Sequence, residues 1–269
     1  MKNLLTAIIV IVLVTTIFKI NILAGLLIVA GALFFFIYKN RPIIYMIRAN
    51  KNYSDGNIKE AMILYEKSYK LKENNPKAAI NYSYMLLKQG ELDKAQNVLE
   101  NIMKTTLNVG DRSNVVINLS LVLWKNGNLD EAVKALEELY GNGYKNTLVY
   151  QNLGFFYILS GDLEKALQFN TEAYEYNSSD ASILDNLAMT YYHMTDYDKA
   201  IESFEKLMSM NPAFVTAYYY YGLTLDKKGK PVEALEAIKK ALECNFSFLT
   251  SIKREDVENE IERLEKLIK

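Results

Sequence analysis

Four asparagines recur along the chain at nearly constant spacing, and their side-chain amides could take part in regular hydrogen bonding. Asn81, Asn118, Asn152 and Asn186 follow one another at intervals of 37, 34 and 34 residues. A carboxamide offers one acceptor and two N–H donors, so a ladder of such groups can pair with the backbone of an extended peptide and ignore its side chains. The alternative is that the amides bond within the protein itself. Tyr220 takes the equivalent position in the last interval.

Aromatic and other apolar residues follow the asparagines at helical spacing. Three residues further on, and again at the next turn, the chain carries Tyr84, Trp124, Phe155, Met189, Tyr192 and Leu223, with Tyr219 beside Tyr220 at the end. Rings with few charges around them suit the recognition of apolar side chains between backbone contacts. Packing in the core is the alternative for each ring, as at Tyr157 and Tyr191. The predicted peptide-binding residues are Asn81, Asn118, Asn152, Asn186, Tyr84, Trp124, Phe155, Tyr192, Tyr219 and Tyr220.

No pattern in the sequence predicts a catalytic residue, a metal site or a cofactor. His193 is the only histidine, and no cysteine or second histidine accompanies it to share a metal ion. The run Gly141-Asn142-Gly143 lacks the preceding strand and the further glycine of a phosphate-binding loop. Cys244 is the only cysteine, which excludes an intramolecular disulfide. We therefore expect a protein that is not an enzyme, and an activity hidden in the chain is kept as an alternative.

The asparagines and rings belong to a repeat that alanine marks most clearly. The intervals between successive alanines are 34, 37, 34, 34 and 34 residues, for Ala61, Ala95, Ala132, Ala166, Ala200 and Ala234. A glycine lies five residues before five of them, at Gly56, Gly90, Gly127, Gly161 and Gly229, and Thr195 takes that place in the fifth unit. Polar turn signals arrive about every 17 residues, half the period. Each unit therefore predicts a pair of helices: the glycine ends the first helix in a left-handed conformation, and the alanine lets the second approach it closely.

Capping residues and two irregularities refine this pattern. Side chains suited to capping the second helix follow the turn at Asn57, Asn128, Asp162 and Asp196, and Pro231 suits a first helical turn in the last unit. The second unit is three residues longer than the others, and we place the extra residues within 105–113. Residues 247–269 leave the repeat and predict a capping helix, with an apolar stripe at Ile252, Val257, Ile261, Leu264 and Ile268.

The repeat resembles the tetratricopeptide repeat (TPR). The fourth unit matches that family's pattern with Leu153, Gly154, Tyr157, Gly161, Ala166 and Ala173, and Pro212 ends the fifth unit where the family expects proline. The resemblance implies an all-α fold, a right-handed superhelical solenoid of about six TPR helix pairs over residues 42–246 with a C-terminal capping helix over 247–269. It also implies an inner groove lined by the first helix of each unit, in which related arrays use asparagines to hold a peptide. The family's two-carboxylate clamp needs lysines where this chain has Ile80, Ile117 and Gln151, so an acidic chaperone tail is not the expected ligand.

The first 38 residues are dominated by an apolar block from residue 4 to residue 38. As one helix it would extend about 52 Å, against about 30 Å for the hydrocarbon core of a bilayer. The break Lys19-Ile20-Asn21 divides it, so we predict a transmembrane anchor over residues 1–41, a helical hairpin with helices at about 4–18 and 22–38. A cleavable signal peptide is the alternative. The apolar stretch resumes after the break and offers no convincing small-x-small cleavage site outside Val29-Ala30-Gly31-Ala32, which argues against cleavage.

Basic residues on the flanks of this block predict its orientation. Four of them crowd the C-terminal flank, at Lys39, Arg41, Arg48 and Lys51, against Lys2 on the first flank and Lys19 in the turn, so a hairpin and a single span predict the same side for the repeats. Because lysine and arginine near a span are retained in the cytoplasm, we expect a cell-membrane protein with its TPR domain on the cytoplasmic side.

Overall composition is consistent with a binding protein rather than with a nucleic-acid-binding one. The chain has 269 residues, half of them hydrophobic, and a net charge of −1, without the basic stripe that nucleic acid requires. We expect a membrane-anchored TPR protein of bacterial type, a scaffold that binds an extended segment of a protein or peptide partner in its inner groove. The alternative is a structural or assembly subunit of a membrane complex that uses its anchor and outer repeat faces. A homo-oligomer formed through residues 252–268 stays open.

Overall fold

The computed structural model describes residues 15–269, which fold into helices joined by short connections and contain no β-strand. Residues 15–20 are helical, and fourteen further helices follow. They are α1 (Ile22–Lys39), α2 (Arg41–Ser54), α3 (Ile58–Leu71), α4 (Pro76–Gln89), α5 (Leu92–Met103), α6 (Val109–Lys125), α7 (Leu129–Gly141), α8 (Thr147–Ser160), α9 (Leu163–Tyr176), α10 (Ala181–His193), α11 (Tyr197–Ser209), α12 (Val215–Lys227), α13 (Pro231–Ala241) and α14 (Arg254–Ile268). The predicted all-α class is confirmed.

Helices α2 to α13 form six successive pairs in the predicted phase, from α2 and α3 to α12 and α13. The five repeat glycines have φ between +76° and +87°, and Thr195 adopts φ +62° in the fifth unit. A left-handed residue ends the first helix of each pair without a long loop. The six repeat alanines are all fully buried, because no larger side chain fits where the second helix approaches the first.

Helix caps agree with the sequence in part. The carboxylates of Asp162 and Asp196 accept hydrogen bonds from the backbone N–H groups of Lys165 and Lys199. Asn57 and Asn128 also lie at N-cap positions, but their side chains make no capping hydrogen bond, so the prediction was wrong for these two amides. Pro231 is the first residue of α13, where the missing N–H costs nothing.

The three extra residues of the second repeat lengthen a helix and do not enlarge a loop. Helix α6 has 17 residues, against 14 in α8 and 13 in α10. Its N-terminus is capped by Asn108, whose side chain accepts from the N–H of Asp111. The extension therefore adds a turn to the start of this helix, with Gly110 inside it.

Two compact units divide the chain between Ala78 and Ala79. In the first unit, α2 and α3 pack together through the fully buried Ala49 and Ala61. The Tyr65 hydroxyl donates to Asn50 Oδ1 at 2.6 Å, and the Ser68 hydroxyl donates to the carbonyl of Pro42 at 2.7 Å. This pair is therefore fixed by polar as well as apolar contacts.

A break separates the two apolar segments at Asn21, whose side chain accepts from the N–H of Ala24 and begins α1. A Cβ atom on Gly25 would lie 2.6 Å from the ring of Phe18. Residues seven apart in a continuous helix are separated by about 10.5 Å along its axis, so this contact requires the chain to turn at Asn21. Residues 4–14 of the predicted first helix lie outside the described residues, and the transmembrane hairpin stays a prediction.

Within the described part of the chain, α1 is the one helix that is long and apolar enough to cross a membrane. Its 18 residues extend roughly 27 Å. Most of its large apolar side chains are exposed, including Leu23, Phe34 and Phe35. Asn40 alone separates α1 from α2, and Pro42 lies in the first turn of α2.

In the compact unit of residues 79–269, α14 covers the end of the array as a cap. Val257 and Leu264 are fully buried against α12 and α13, and Ile252 and Ile261 are partly buried there. Ile268 is exposed, so the apolar stripe ends one turn earlier than the sequence predicts. The guanidinium of Arg263 binds Asp226 of α12 at 2.5 Å, and Lys239 of α13 binds Glu265 at 2.8 Å.

Candidate functional site

The candidate site lies in the compact unit of residues 79–269. The first helices of the repeats there, α4, α6, α8, α10 and α12, form a surface that is here called the inner surface. Neighbouring first helices contact one another, as α8 does with α6 and α10. All ten sequence-predicted binding residues belong to these five helices. Their side chains nevertheless have different roles.

Two of the four asparagines are buried and bond within the array. Asn118 is 6% exposed and its Nδ2 donates to the carbonyl of Ile80 at 3.0 Å and to Ser83 Oγ at 3.1 Å. Asn186 is 5% exposed and its Nδ2 donates to the carbonyl of Gln151 at 2.8 Å. Each amide therefore joins one first helix to the first helix before it.

The other two asparagines do not complete a peptide-binding ladder. Asn152 is half-buried and its Nδ2 donates to Leu148 O, one turn back in its own helix, at 2.8 Å. Asn81 is half-buried near the start of the series. Because the N–H groups of Asn118 and Asn186 are engaged by the array, a ladder of four amides facing a ligand does not exist in this structure. The alternative of hydrogen bonds within the protein describes these two residues.

A first group of rings lies where α6 and α8 meet. The Trp124 ring makes an edge contact with Phe155 at 5.4 Å and a tilted contact with Phe156 at 5.7 Å between centroids. Phe156 is fully buried, whereas Trp124 and Phe155 are half-buried and keep part of their surface on the inner side. Tyr84 on α4 is exposed, and the Lys88 ammonium lies 6.0 Å from its ring centroid.

A second group of rings joins α10 and α12. Tyr220 lies 5.3 Å from both Tyr192 and His193 and 5.6 Å from Tyr219, between centroids. Burial raises the pKa of Tyr220 to about 12, so its hydroxyl stays protonated. Trp124, Phe155, Tyr192, Tyr219 and Tyr220 are therefore brought together in two groups. Met189, by contrast, is fully in the core.

Asp185 is a polar residue that sequence reasoning missed. Its side chain is buried beside Asn186 and accepts from the Thr216 hydroxyl at 2.6 Å, and its second oxygen, Oδ1, has no hydrogen-bond partner. Burial raises the pKa of this carboxyl to about 7. The equivalent residues of other repeats, Ile80, Ile117 and Gln151, are uncharged. An acidic residue at this repeat position was therefore the sequence feature that could have identified Asp185.

Residues 245–253, here called the strap, belong to the connection between α13 and α14 and lie against the inner surface. The N–H of Phe248 donates to the carbonyl of Lys88 on α4 at 3.1 Å. The Phe248 ring lies on Gly90, where a Cβ atom would be 2.9 Å from the ring. Chain positions about 160 residues apart therefore meet directly, a contact that no repeat pattern predicts.

Lys125 connects the strap to the first group of rings. Its ammonium donates to the carbonyl of Thr250 at 3.4 Å and lies 4.0 Å from the Trp124 centroid and 5.2 Å from the Phe248 centroid. Burial lowers the pKa of this ammonium. One cation thus contacts a backbone carbonyl of the strap and two aromatic faces.

The arrangement is suited to binding. It combines a helix-end carbonyl, a flat glycine surface, a cation and two groups of rings, which together can hold a backbone and an aromatic side chain. No group of three or more metal-ligating side chains occurs among residues 15–269.

Comparison with known proteins supports a repeat architecture. A family model described as "Tetratricopeptide repeat" matches residues 70–246. A search of curated proteins found no match. Among solved structures, a tetratricopeptide repeat protein from Parabacteroides merdae is similar with a TM-score of 0.64, 14% identity and coverage of 84% of this chain and 85% of that one.

Two other solved structures share the fold at similarly low identity. The Cut9-Hcn1 hetero-tetramer of the APC/C is similar with a TM-score of 0.67 and 16% identity, over 96% of this chain and 52% of that chain. The pilF protein of Pseudomonas aeruginosa is similar with a TM-score of 0.57 and 14% identity, over 83% of this chain and 98% of that chain. At these identities the likeness concerns the fold alone.

Proposed function

Since this chain belongs to the tetratricopeptide repeat family, we propose that it is a membrane-anchored scaffold that binds an extended segment of a partner protein on its inner surface. The family fold is typical of protein–protein interaction scaffolds that are not enzymes. The proposal adds to this the membrane anchor and the inner surface as the place of binding.

The observation that carries the proposal is the pair of aromatic groups on the inner surface. Trp124 and Phe155 form one group, and Tyr192, Tyr219 and Tyr220 form the other. These rings are half-buried, so they are held in place by the array and still offer apolar faces. Rigid aromatic rings supply large contact areas at a small entropic cost, which is typical of binding hot spots.

The asparagine ladder has a smaller part in the proposal than the sequence suggests. Asn118 and Asn186 fix the spacing of neighbouring first helices through their own hydrogen bonds. They would thereby position the rings, and backbone contacts to a ligand are left to groups such as the helix-end carbonyl of Lys88 and the Lys125 ammonium. Asn81 and Asn152 remain proposed contact residues.

The membrane anchor is supported by the chemistry of α1 and its end. An exposed apolar surface surrounds this helix, and at its C-terminal end the Arg41 guanidinium lies 3.8 Å from the Tyr38 ring centroid while its Nε donates to the Tyr38 carbonyl. A tyrosine and an arginine at the end of an apolar helix suit the interface of a bilayer. With Lys39, Arg48 and Lys51 nearby in sequence, we propose that the repeats lie on the cytoplasmic side.

Site-specific photo-crosslinking in membranes tests the binding surface. We would place p-benzoylphenylalanine at Phe155 of the full chain and, as a matched control, at Val232, an exposed residue of a second helix. We expect adducts with a partner segment at Phe155 and fewer with Trp124→Ala in the same chain. Adducts that form at Val232 and not at Phe155 would contradict inner-surface binding and favour the structural-subunit alternative.

A further inference from the structure

We propose that the strap is an internal ligand of the inner surface, and that a partner segment carrying an aromatic residue must displace Phe248 in order to bind beside Gly90 and Lys125. This inference rests on the proposed function, because it names the regulation of the same surface and the kind of segment the surface accepts.

The glycine beneath the Phe248 ring differs from its counterparts in other repeats. Gly127, Gly161 and Gly229 occupy the same turn with similar positive φ angles, and a Cβ atom on any of them would meet nothing within 4 Å. At Gly90 the space is filled by the Phe248 ring at 2.9 Å. Among these repeat turns, the one at Gly90 is therefore the turn at which an aromatic ring packs directly on the glycine backbone.

The backbone contact beside this ring uses a group at the end of a helix. Lys88 lies in the last turn of α4, and the last four carbonyls of a helix have no partner within it. The N–H of Phe248 donates to the Lys88 carbonyl. A strap or a partner segment that presents an N–H here can make this same hydrogen bond.

A third contact fixes the spacing along the bound segment. The Lys125 ammonium donates to the carbonyl of Thr250, two residues after Phe248. The surface thus recognises an aromatic residue with its own N–H and the carbonyl two positions later, and the side chain between them, that of Leu249, enters none of these three contacts. The proposed partner segment is therefore extended or turn-like, carries an aromatic residue and needs no charged side chain.

The strap is held weakly enough to be exchanged. Phe248 remains 44% exposed, and the strap contains no helix or strand before α14. Its turn is supported locally, by the Ser247 N–H donating to Thr250 Oγ1 and the Thr250 N–H donating to the Ser247 carbonyl. The cap helix is held through buried Val257 and Leu264, and Phe246 and Ile252 near the two ends of the strap pack against the same cluster, so the turn between them, which carries Phe248, can leave the inner surface while α14 stays in place.

Binding of a labelled peptide to the full chain in detergent or nanodiscs tests the proposal. The probe is a fluorescent peptide with the sequence of residues 245–253, and the chains are wild type, Phe248→Ala and the control Leu267→Ala, which truncates an exposed side chain of α14. If the strap occupies its seat about nine tenths of the time, Phe248→Ala should bind the peptide about tenfold more tightly than wild type, and the control should match wild type. Equal affinity of all three chains, or no binding to any of them, would overturn the proposal.

The only tryptophan provides a second measurement that needs no ligand. Trp124 shares the Lys125 ammonium with the Phe248 ring, so loss of the strap should make its fluorescence more accessible to acrylamide in Phe248→Ala but not in Leu267→Ala. Unchanged quenching would overturn strap occupancy. Failure of the proposed function would instead appear as missing Phe155 adducts in membranes, with the peptide and quenching results unaffected.

Discussion

Replacement of Gly154 by alanine should destabilise the array because a buried amide occupies the space beside this glycine. A Cβ atom on Gly154 would lie 2.0 Å from Asn170 Oδ1 and 3.3 Å from Asn186 Nδ2. Asn170 is fully buried, and its Nδ2 donates to the Gly154 carbonyl at 3.3 Å and to Thr190 Oγ1 at 3.0 Å. The added methyl therefore forces the Asn170 side chain to move, and this side chain has no space at the protein surface into which it could shift.

The expected cost follows from three contributions. Overpacking of a tight core costs about 1 to 3 kcal/mol, and each disturbed Asn170 hydrogen bond adds about 1 kcal/mol. The higher helix propensity of alanine than of glycine offsets about 1 kcal/mol of this cost. With both Asn170 hydrogen bonds disturbed, we expect the free energy of unfolding to fall by about 2 to 4 kcal/mol.

Chemical unfolding of the full chain in detergent, followed by Trp124 fluorescence, measures this cost, because Trp124 contacts Phe155 on the same helix as Gly154. Gly141→Ala is the control: no atom lies within 4 Å of its added Cβ, and it should be neutral or slightly stabilising. In an Asn170→Ala background, Gly154→Ala should lose most of its cost, since the obstructing oxygen is gone. A Gly154→Ala cost that persists undiminished in that background would refute the steric explanation.

Three further substitutions probe the repeat and its buried carboxyl. Burial raises the pKa of Asp185 to about 7, above about 3.9 in the unfolded chain, so its stabilising effect is complete below about pH 4 and is lost as pH rises through 7. Denaturant titrations should therefore show the free energy of unfolding falling by about 3 kcal/mol between about pH 5 and about pH 8, and Asp185→Asn should abolish this fall. Ala166→Leu should lower the unfolding free energy by about 1 to 3 kcal/mol in denaturant titrations, because the alanine is fully buried between two helices. Thr195→Gly should raise the thermal midpoint, since it removes a left-handed conformation at φ +62° that costs about 1 kcal/mol for a residue with a Cβ.

The fold could be predicted because its determinants are local and repeated. Each helix pair is specified by a glycine turn, a close alanine contact and apolar residues at helical spacing, and six copies of the same signal reinforce one another. Thr195 is instructive, since the register alone placed it in a glycine-like conformation that its side chain disfavours. The caps at Asn57 and Asn128 could not be settled in this way, because an amide at an N-cap position can rotate away from the helix end.

The site could be predicted only to the level of which residues share a surface. The alanine register placed Trp124, Phe155, Tyr192 and Tyr220 on that surface, and the structure groups their rings. The direction of an asparagine amide depends on which neighbouring carbonyl needs a donor, and this is a property of two packed helices. The seat of Phe248 depends on a contact between the ends of the second unit, which no periodic pattern contains.

The buried amides and the strap together bear on how this surface distinguishes its ligands. If the asparagines had formed an open ladder, any extended backbone would have satisfied it, and selectivity would have been low. With Asn118 and Asn186 engaged in the array, recognition in the proposed mode of binding would rest on the ring faces, the surface of Gly90 and the Lys125 ammonium. Because the strap of the chain itself occupies that seat, a partner gains only the difference between its own contacts and those of Phe248. The proposed binding would therefore be selective for an aromatic residue, since a segment without one would have to displace Phe248 and would leave the glycine surface bare.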